Sequence, residues 1–288
     1  MSFSFVSSCL CEGRGARQTC TAQSSGASVE LSFKKYLEEQ EKLAPRKGDR
    51  TRIRLRIATI DVLDRVGYHR MRISDITAAA GVTAGSLYQY YSDKLHVTLA
   101  VLDEFGEFFA KCQNIGYDGP ARSHFESIRR SNLRFLRLVE QNSGLMRCLL
   151  QVADDEPEFA RRFYANSHRQ NQRIAQGILK RLGASPDRLP TITVVVYALG
   201  AMMDEIARRL LVQKDPELRG LVDAIDLDTE ALADVLASIW YRTLYAGDSA
   251  ESKDAIACAL GAPRQVVPQA RVQPQPGRRR PRAIRPAR

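Results

Sequence analysis

The chain has 288 residues, 44% of them hydrophobic, and a formal net charge of +10. That length and apolar content support a buried core of one large or two smaller domains and exclude a wholly disordered or fibrous chain. The positive charge points to a polyanionic partner only where it gathers on a folded face, and much of the surplus lies after Ala262 in an arginine-rich stretch without an acid.

Residues 1–44 read as a disordered or weakly helical N-terminal extension. The first part is rich in Ser, Gly, Thr and Cys, and a short charged helix at 31–43 is stopped by Pro45 and Gly48. From Asp49 to Ala246 apolar residues recur at spacings of three and four with no strand-like alternation, so the fold class is all-α. Breaks fall at Gly67, Gly81-Val82, Ser92, Gly116 to Pro120, Asp154 to Pro157, Gly183 to Pro190 and Asp215 to Asp228. Short helices come first and long ones follow. This predicts a small three-helix N-terminal domain at 45–96, a larger helical bundle at 97–247, and a basic Pro/Arg-rich tail at 248–288.

The helix expected over 50–66 has an apolar stripe of Leu55, Ala58, Val62, Leu63 and Val66, while Arg50, Arg52, Arg54 and Arg56 crowd its first turns. Positive charge there opposes the helix macrodipole, which suits either a solvated face or an end that meets phosphate. Next, 73–80 is a helix too short to persist alone in water, so it has to pack on neighbours. Gly81-Val82 turns the chain, Thr83 can cap a second short helix, and Ala84, Gly85 and Ser86 leave its start small and open. With Ile76, Val82, Leu87 and Tyr91 as inward anchors, Ser86, Tyr88, Gln89 and Tyr90 point outward. Short helix, tight turn and exposed polar short helix form a helix-turn-helix pattern.

The run "ISDITAAAGVTAGSLYQYYSDK", with Gly67-Tyr68 before it, resembles the DNA-binding domain of the TetR family of transcriptional regulators. Asp75-Ile76, Ala80-Gly81-Val82, Gly85, Leu87-Tyr88, Tyr91 and Lys94 stand where that family's pattern has such residues. The resemblance implies double-stranded DNA as partner and a phosphate contact for Lys94. Two departures affect the contacts: Arg72 replaces a frequent Ser or Thr, leaving Ser74 to cap the helix or Arg72 to meet phosphate, and Ala84 replaces a frequent basic residue. Tyr88 and Tyr90 can offer hydroxyls to phosphate and rings to sugar or thymine methyl. Gln89 can pair bidentately with adenine. The DNA-contacting set is therefore Arg52, Arg72, Ser74, Thr83, Ala84, Gly85, Ser86, Tyr88, Gln89, Tyr90 and Lys94.

Long apolar stripes follow: Phe159, Phe163, Ile174, Ile178 and Leu182; Val195, Leu199, Met202, Ile206 and Leu210; Leu232, Val235, Leu236, Ile239, Trp240 and Leu244. The resemblance implies that this bundle senses a ligand and dimerises through its last two helices. Ala198, Ala201, Ala233, Ala237, Trp240 and Tyr241 are the interface candidates, although small residues at that spacing equally suit packing within one chain. Among Phe105, Phe108, Phe109, Phe135, Met146, Phe163, Met202 and Met203, the residues expected to line a ligand cavity are Phe109, Phe135, Phe163 and Met202. His124, Asn132, His168, Asn171 and Tyr197 are polar residues on partly apolar segments that could orient a ligand.

No nucleotide loop, zinc-protease or serine-hydrolase motif occurs, and four histidines in a helical chain offer little acid-base chemistry, so no enzyme, cofactor or metal is expected. The six cysteines form no CxxC pair, which predicts reduced thiols in a cytoplasmic protein. No secretory leader is apparent, and the apolar run Ile192 to Met203 ends at Asp204 and Glu205, short of the ~20 residues of a membrane span. It reads as a buried helix with no membrane partner. The resemblance implies a repressor that binds a palindromic operator as a homodimer and is released by an unidentified small molecule. A DNA-binding factor without such an effector, controlled by a partner or architectural, is the alternative.

Overall fold

The computed structural model describes residues 31–114, 121 and 123–245. The expectations for residues 1–30, for the Gly116 to Pro120 break and for the basic tail lie outside them. Every regular element among the described residues is helical, as the spacing of apolar residues predicts.

Helix α1 (Phe33–Leu43) starts at Ser32, whose hydroxyl accepts the Lys35 N–H, and ends where the backbone turns extended at Ala44, just before Pro45. The short charged helix expected at 31–43 is thus present, and it packs against the rest of the fold. Phe33 and Leu37 are fully buried, and Phe33 lies against Phe105 and Phe108 at centroid distances of 5.6 and 5.4 Å. Side chains from the middle of the sequence fix its entry: Gln141 accepts the Leu31 N–H, and Asn142 both accepts the Phe33 N–H at 2.8 Å and donates to the Leu31 carbonyl. Charged residues dominate α1 by count, but Phe33, Tyr36 and Leu37 share one face, and burial of that face outweighs the charge.

Helix α2 (Lys47–Arg70) runs through the expected 50–66 segment and bends at Gly67, whose φ of 75° suits a residue without Cβ. α3 (Ile73–Ala80) packs on it and α4 (Ala84–Tyr88) on α3, the two separated by Gly81 in the left-handed region at φ 65°. α5 (Lys94–Asn114) carries the chain into the bundle of α6 (His124–Gln141), α7 (Ser143–Asp155), α8 (Pro157–Leu182), α9 (Leu189–Ala207), a π-helical continuation at Arg208–Gln213, α10 (Pro216–Ala224) and α11 (Thr229–Tyr245).

Two expectations about the bundle need correction. Ala233, Ala237 and Trp240 are buried inside the protomer, because α11 lies on α6 and is tied to it by Arg129 to Asp234 and by Arg137 to Glu230 at 2.7 Å. Their small side chains let two helices of one chain approach. The apolar run at 192–203 is not wholly buried either: α9 turns Val194, 69% exposed, together with Tyr197 and Ala198 to solvent, while Val196, Leu199 and Met203 face inward. The 28-residue segment Pro186–Gln213 is long and apolar enough to cross a membrane by composition, with 33% of its most apolar window buried in the fold.

Candidate nucleic-acid interface and effector cavity

α4 is only five residues long, and its conformation is set by its ends. Thr83 accepts the Ser86 N–H and contacts the Ser86 hydroxyl at 3.1 Å, which caps the helix as its position predicts. Leu87 and Tyr91 are buried beneath it, so Thr83, Ala84, Gly85, Tyr88 and Gln89 stand exposed, Tyr88 to 56%. Ser86 is half-buried. Tyr90 departs from expectation: it too is half-buried, with its hydroxyl 3.3 Å from where a Cβ of Gly48 would sit, so it lies against the first turn of α2.

The cap of α3 is also resolved. Asp75 reaches back to accept the Arg72 N–H at 2.9 Å, so Ser74 does not cap the helix, and the Arg72 side chain is exposed. The arginines of α2 separate into two kinds. Arg54 pairs with Glu41 of α1, and Arg56 joins Glu104 and the Tyr91 hydroxyl, so both hold helices together. Arg52 is exposed with no carboxylate partner among the described residues, as a phosphate contact requires.

Lys94 opens α5 just after Asp93, which caps the helix. Hydrogen bonds from the His96 backbone N–H and the Ser92 hydroxyl hold the Asp93 carboxyl below its usual range. The Lys94 ammonium donates to the Tyr68 carbonyl at 3.2 Å and sits 4.5 Å above the Tyr68 ring. Any phosphate bound there shares this ammonium with the Gly67-Tyr68 corner. From the other side Gln151 of α7 accepts the Tyr68 N–H at 3.3 Å. Two further contacts run along the α2–α7 seam: Asp64 lies so close to Gly144 that a Cβ there would fall on its carboxylate, and His69 approaches Asp155 at 3.7 Å. Neither α1's part nor Gln151's was read from the sequence. The 33, 36, 37 spacing could have shown the first, but nothing local marks the second.

Between α5 and α8 lies a cavity of about 690 Å³, floored by Leu102, Phe109, Leu149, Phe159 and Phe163. Of the four lining residues expected, Phe109 and Phe163 are there. Phe135 lines a separate small void beside Met146 and Asp204, and Met202 lines neither. Phe105 and Phe108 face α1 instead, because they share one face of α5 while Leu102, Gly106 and Phe109 share another. His168 bonds Tyr197 on the outer surface, and Asn132 and Asn171 are buried away from the cavity lining. The space itself comes from small residues, Gly106, Ala110 and Ala165; a Cβ added to Gly106 would meet nothing within 4 Å. Cys112 and Cys148 are buried and unbridged, and burial pushes the Cys148 thiol up to about 12.

Residues 57–101, which hold the second half of α2, the helix-turn-helix and the start of α5, match the family of bacterial regulatory proteins called the tetR family. That segment therefore resembles the DNA-binding domain of this family. The chain's fold is shared with a TetR-like transcriptional regulator from Rhodococcus sp. RHA1, with a TM-score of 0.50 and 22% identity over 68% of this chain and 95% of that one. A tetR-family transcriptional regulator from Streptomyces coelicolor aligns with a TM-score of 0.46 and 18% identity, over 73% of this chain and 89% of that one. No curated protein matches the sequence significantly. The matched helix-turn-helix segment supports a DNA-binding regulatory function.

Proposed function

We propose that this regulator is a repressor which binds a palindromic operator as a homodimer and leaves it when a small molecule fills the α5–α8 cavity. The observation that carries the reading is the span of α5. Its first residue, Lys94, grips the reading head, and Leu102, Gly106 and Phe109 further along the same helix wall the cavity. A ligand that displaces one end of a continuous helix acts on the other.

In this reading Gln89 contacts a base, Tyr88 contacts phosphate, sugar or a thymine methyl, and Arg52, Arg72 and the open start of α4 contact phosphates. Tyr90 and Lys94 set the pose of that surface, with Lys94 sharing its ammonium with a phosphate. The outward stripe of Val194, Tyr197 and Ala198 on α9, together with the exposed Ile239 of α11, supplies the apolar face for a second copy. Two copies related by a twofold axis place half-sites about 34–36 Å apart or a multiple of that.

The test is selection of bound duplexes from a random pool at near-physiological salt. The expected result is a palindrome, with Gln89→Ala relaxing one base position by about 1–3 kcal/mol of discrimination and Arg72→Ala weakening all sites alike. Recovery of no motif, with binding lost at moderate salt, would show that charge alone holds the DNA and would sink the reading.

A further inference from the structure

Two large apolar side chains stand exposed away from the reading head, the cavity and the α9–α11 face: Leu221 at 67% and Ile225 at 57%. Both belong to α10 or its cap. Leu218, Val222 and, just past the helix, Leu227 pack onto the core, which leaves Leu221 and Ile225 turned outward. Glu217, Leu221 and Ile225 follow at spacings of four, so they form one stripe along the helix. Arg219 is held aside by Asp223 at 3.0 Å, and Asp228 accepts the Ala231 N–H. Glu217 and Asp226, at the two ends of the stripe, have no cation partner among the described residues. The patch is apolar in the middle and negative at both ends.

That pattern decides among occupants. A negative rim turns DNA away. A second copy meeting the patch about a twofold axis would set Glu217 and Asp226 beside carboxylates of their own kind. What fits is a cationic segment with a short apolar centre, and the chain carries one: Arg278, Arg279, Arg280 and Arg282 precede Ala283-Ile284, Arg285 follows, and no acid occurs after Ala262. Reach allows it. α11 takes the chain from Thr229, beside α10, to Tyr245, roughly 24 Å away at the helical rise. The stretch 246–277 can span up to about 100 Å. Tethering gives an effective concentration up to the order of millimolar, so even a weak patch is filled.

We propose that the Glu217, Leu221 and Ile225 stripe of α10 is a docking site for this chain's own arginine cluster at 278–285, with Ile284 on Leu221 and Ile225 and the guanidiniums on Glu217 and Asp226. A docked cluster is withheld from DNA phosphates, so α10 competes with DNA for the tail and restrains sequence-independent binding. This goes beyond the operator and effector readings, and a duplex of random sequence tests it without either.

The experiment uses the full chain in four forms: unchanged; the patch variant Leu221→Ser, Ile225→Ser; the tail variant Arg278→Gln, Arg279→Gln, Arg280→Gln, Arg282→Gln; and the two combined. Both patch residues are exposed, so native helicity should persist, and circular dichroism checks it. Affinity for a random duplex is read between about 50 and 200 mM salt. The rate at which trypsin cuts the 278–282 cluster is read without DNA. The patch variant should bind the duplex at least threefold more tightly at the lowest salt, with a steeper salt dependence, and its cluster should be cut at least threefold faster. In the tail-variant background the patch change should leave duplex affinity unaltered, since the arginines that carry the gain are gone. Equal duplex affinity of the patch variant and the unchanged chain, a gain that persists in the combined form, or equal cutting rates would each overturn the proposal. Protection from trypsin that rises with protein concentration would overturn it as well, because a second copy would then be covering the patch.

Discussion

The reading head and the bundle cavity are built on opposite principles. In the head, function lies in side chains that project: Leu87 and Tyr91 are buried so that Tyr88 and Gln89 can stand out from a helix of five residues. In the bundle, the proposed effector space lies where side chains are missing: Gly106, Ala110 and Ala165 leave room that five larger apolar residues floor. A projecting surface fails when its support is removed. A cavity fails when it is filled.

That contrast can be broken at the element both regions share. Phe33→Ala removes the ring that joins α1 to Phe105 and Phe108, and should destabilise the whole protein by about 3–5 kcal/mol. Urea denaturation followed by circular dichroism would check this, and a loss confined to one region would show that they fold separately. A smaller effect is expected at the seam. Gln151→Leu leaves the Tyr68 N–H without its acceptor, which should cost about 1–3 kcal/mol and weaken operator binding, while Gln151→Glu keeps an acceptor and should retain more of both.

The next substitution sharpens the contrast. Gly106→Ala adds a Cβ to open space on a helical residue, so stability should rise by about 0.5–1 kcal/mol in thermal melts while the cavity shrinks. The smallest effect concerns pH. Burial, and next the neighbouring Asp61 carboxylate, raise the pKa of Asp64, so the folded state binds its proton more tightly than the unfolded chain does. Its contribution therefore turns unfavourable as pH rises from the ordinary value of 3.8 through the raised one. Asp64→Asn should stabilise the protein slightly at pH 7 and leave it unchanged near pH 3, since the partly open carboxylate is screened by water.

The two regions also differ in how far the sequence reveals them. The helix-turn-helix could be read because each requirement is local: Gly81 for a left-handed turn, Thr83 for a cap, Leu87 and Tyr91 spaced to anchor what lies between. Within it, Tyr90 was decided by another element, leaning on Gly48 of α2, and the open choice between Ser74 and Arg72 was decided inside α3, where Asp75 accepts the Arg72 N–H. In the bundle, Phe109 and Phe163 were found and Phe135 and Met202 were not, because apolar spacing shows that a residue is buried but not which neighbour it faces. Ala233 and Ala237 were open to two readings for the same reason, and the structure places both against α6. α1 was undervalued because its charges outnumber its few apolar residues, and the partners that settle its place, Phe105 and Asn142, lie far along the chain.

The position of α1 has a practical consequence for recombining regulators. A chimera made by cutting at the start of the matched region, residue 57, would carry the reading head away from Phe33, Glu41 and the Asn142 clasp. The graft would lack Arg54 and Arg56, which tie α2 to Glu41 and Glu104, and no Phe33 would come with it to meet the connecting helix as it meets Phe105 and Phe108 here. A graft that is to keep its specificity in a new host has to be spliced upstream of Leu31, and the host has to offer an aromatic socket on its connecting helix.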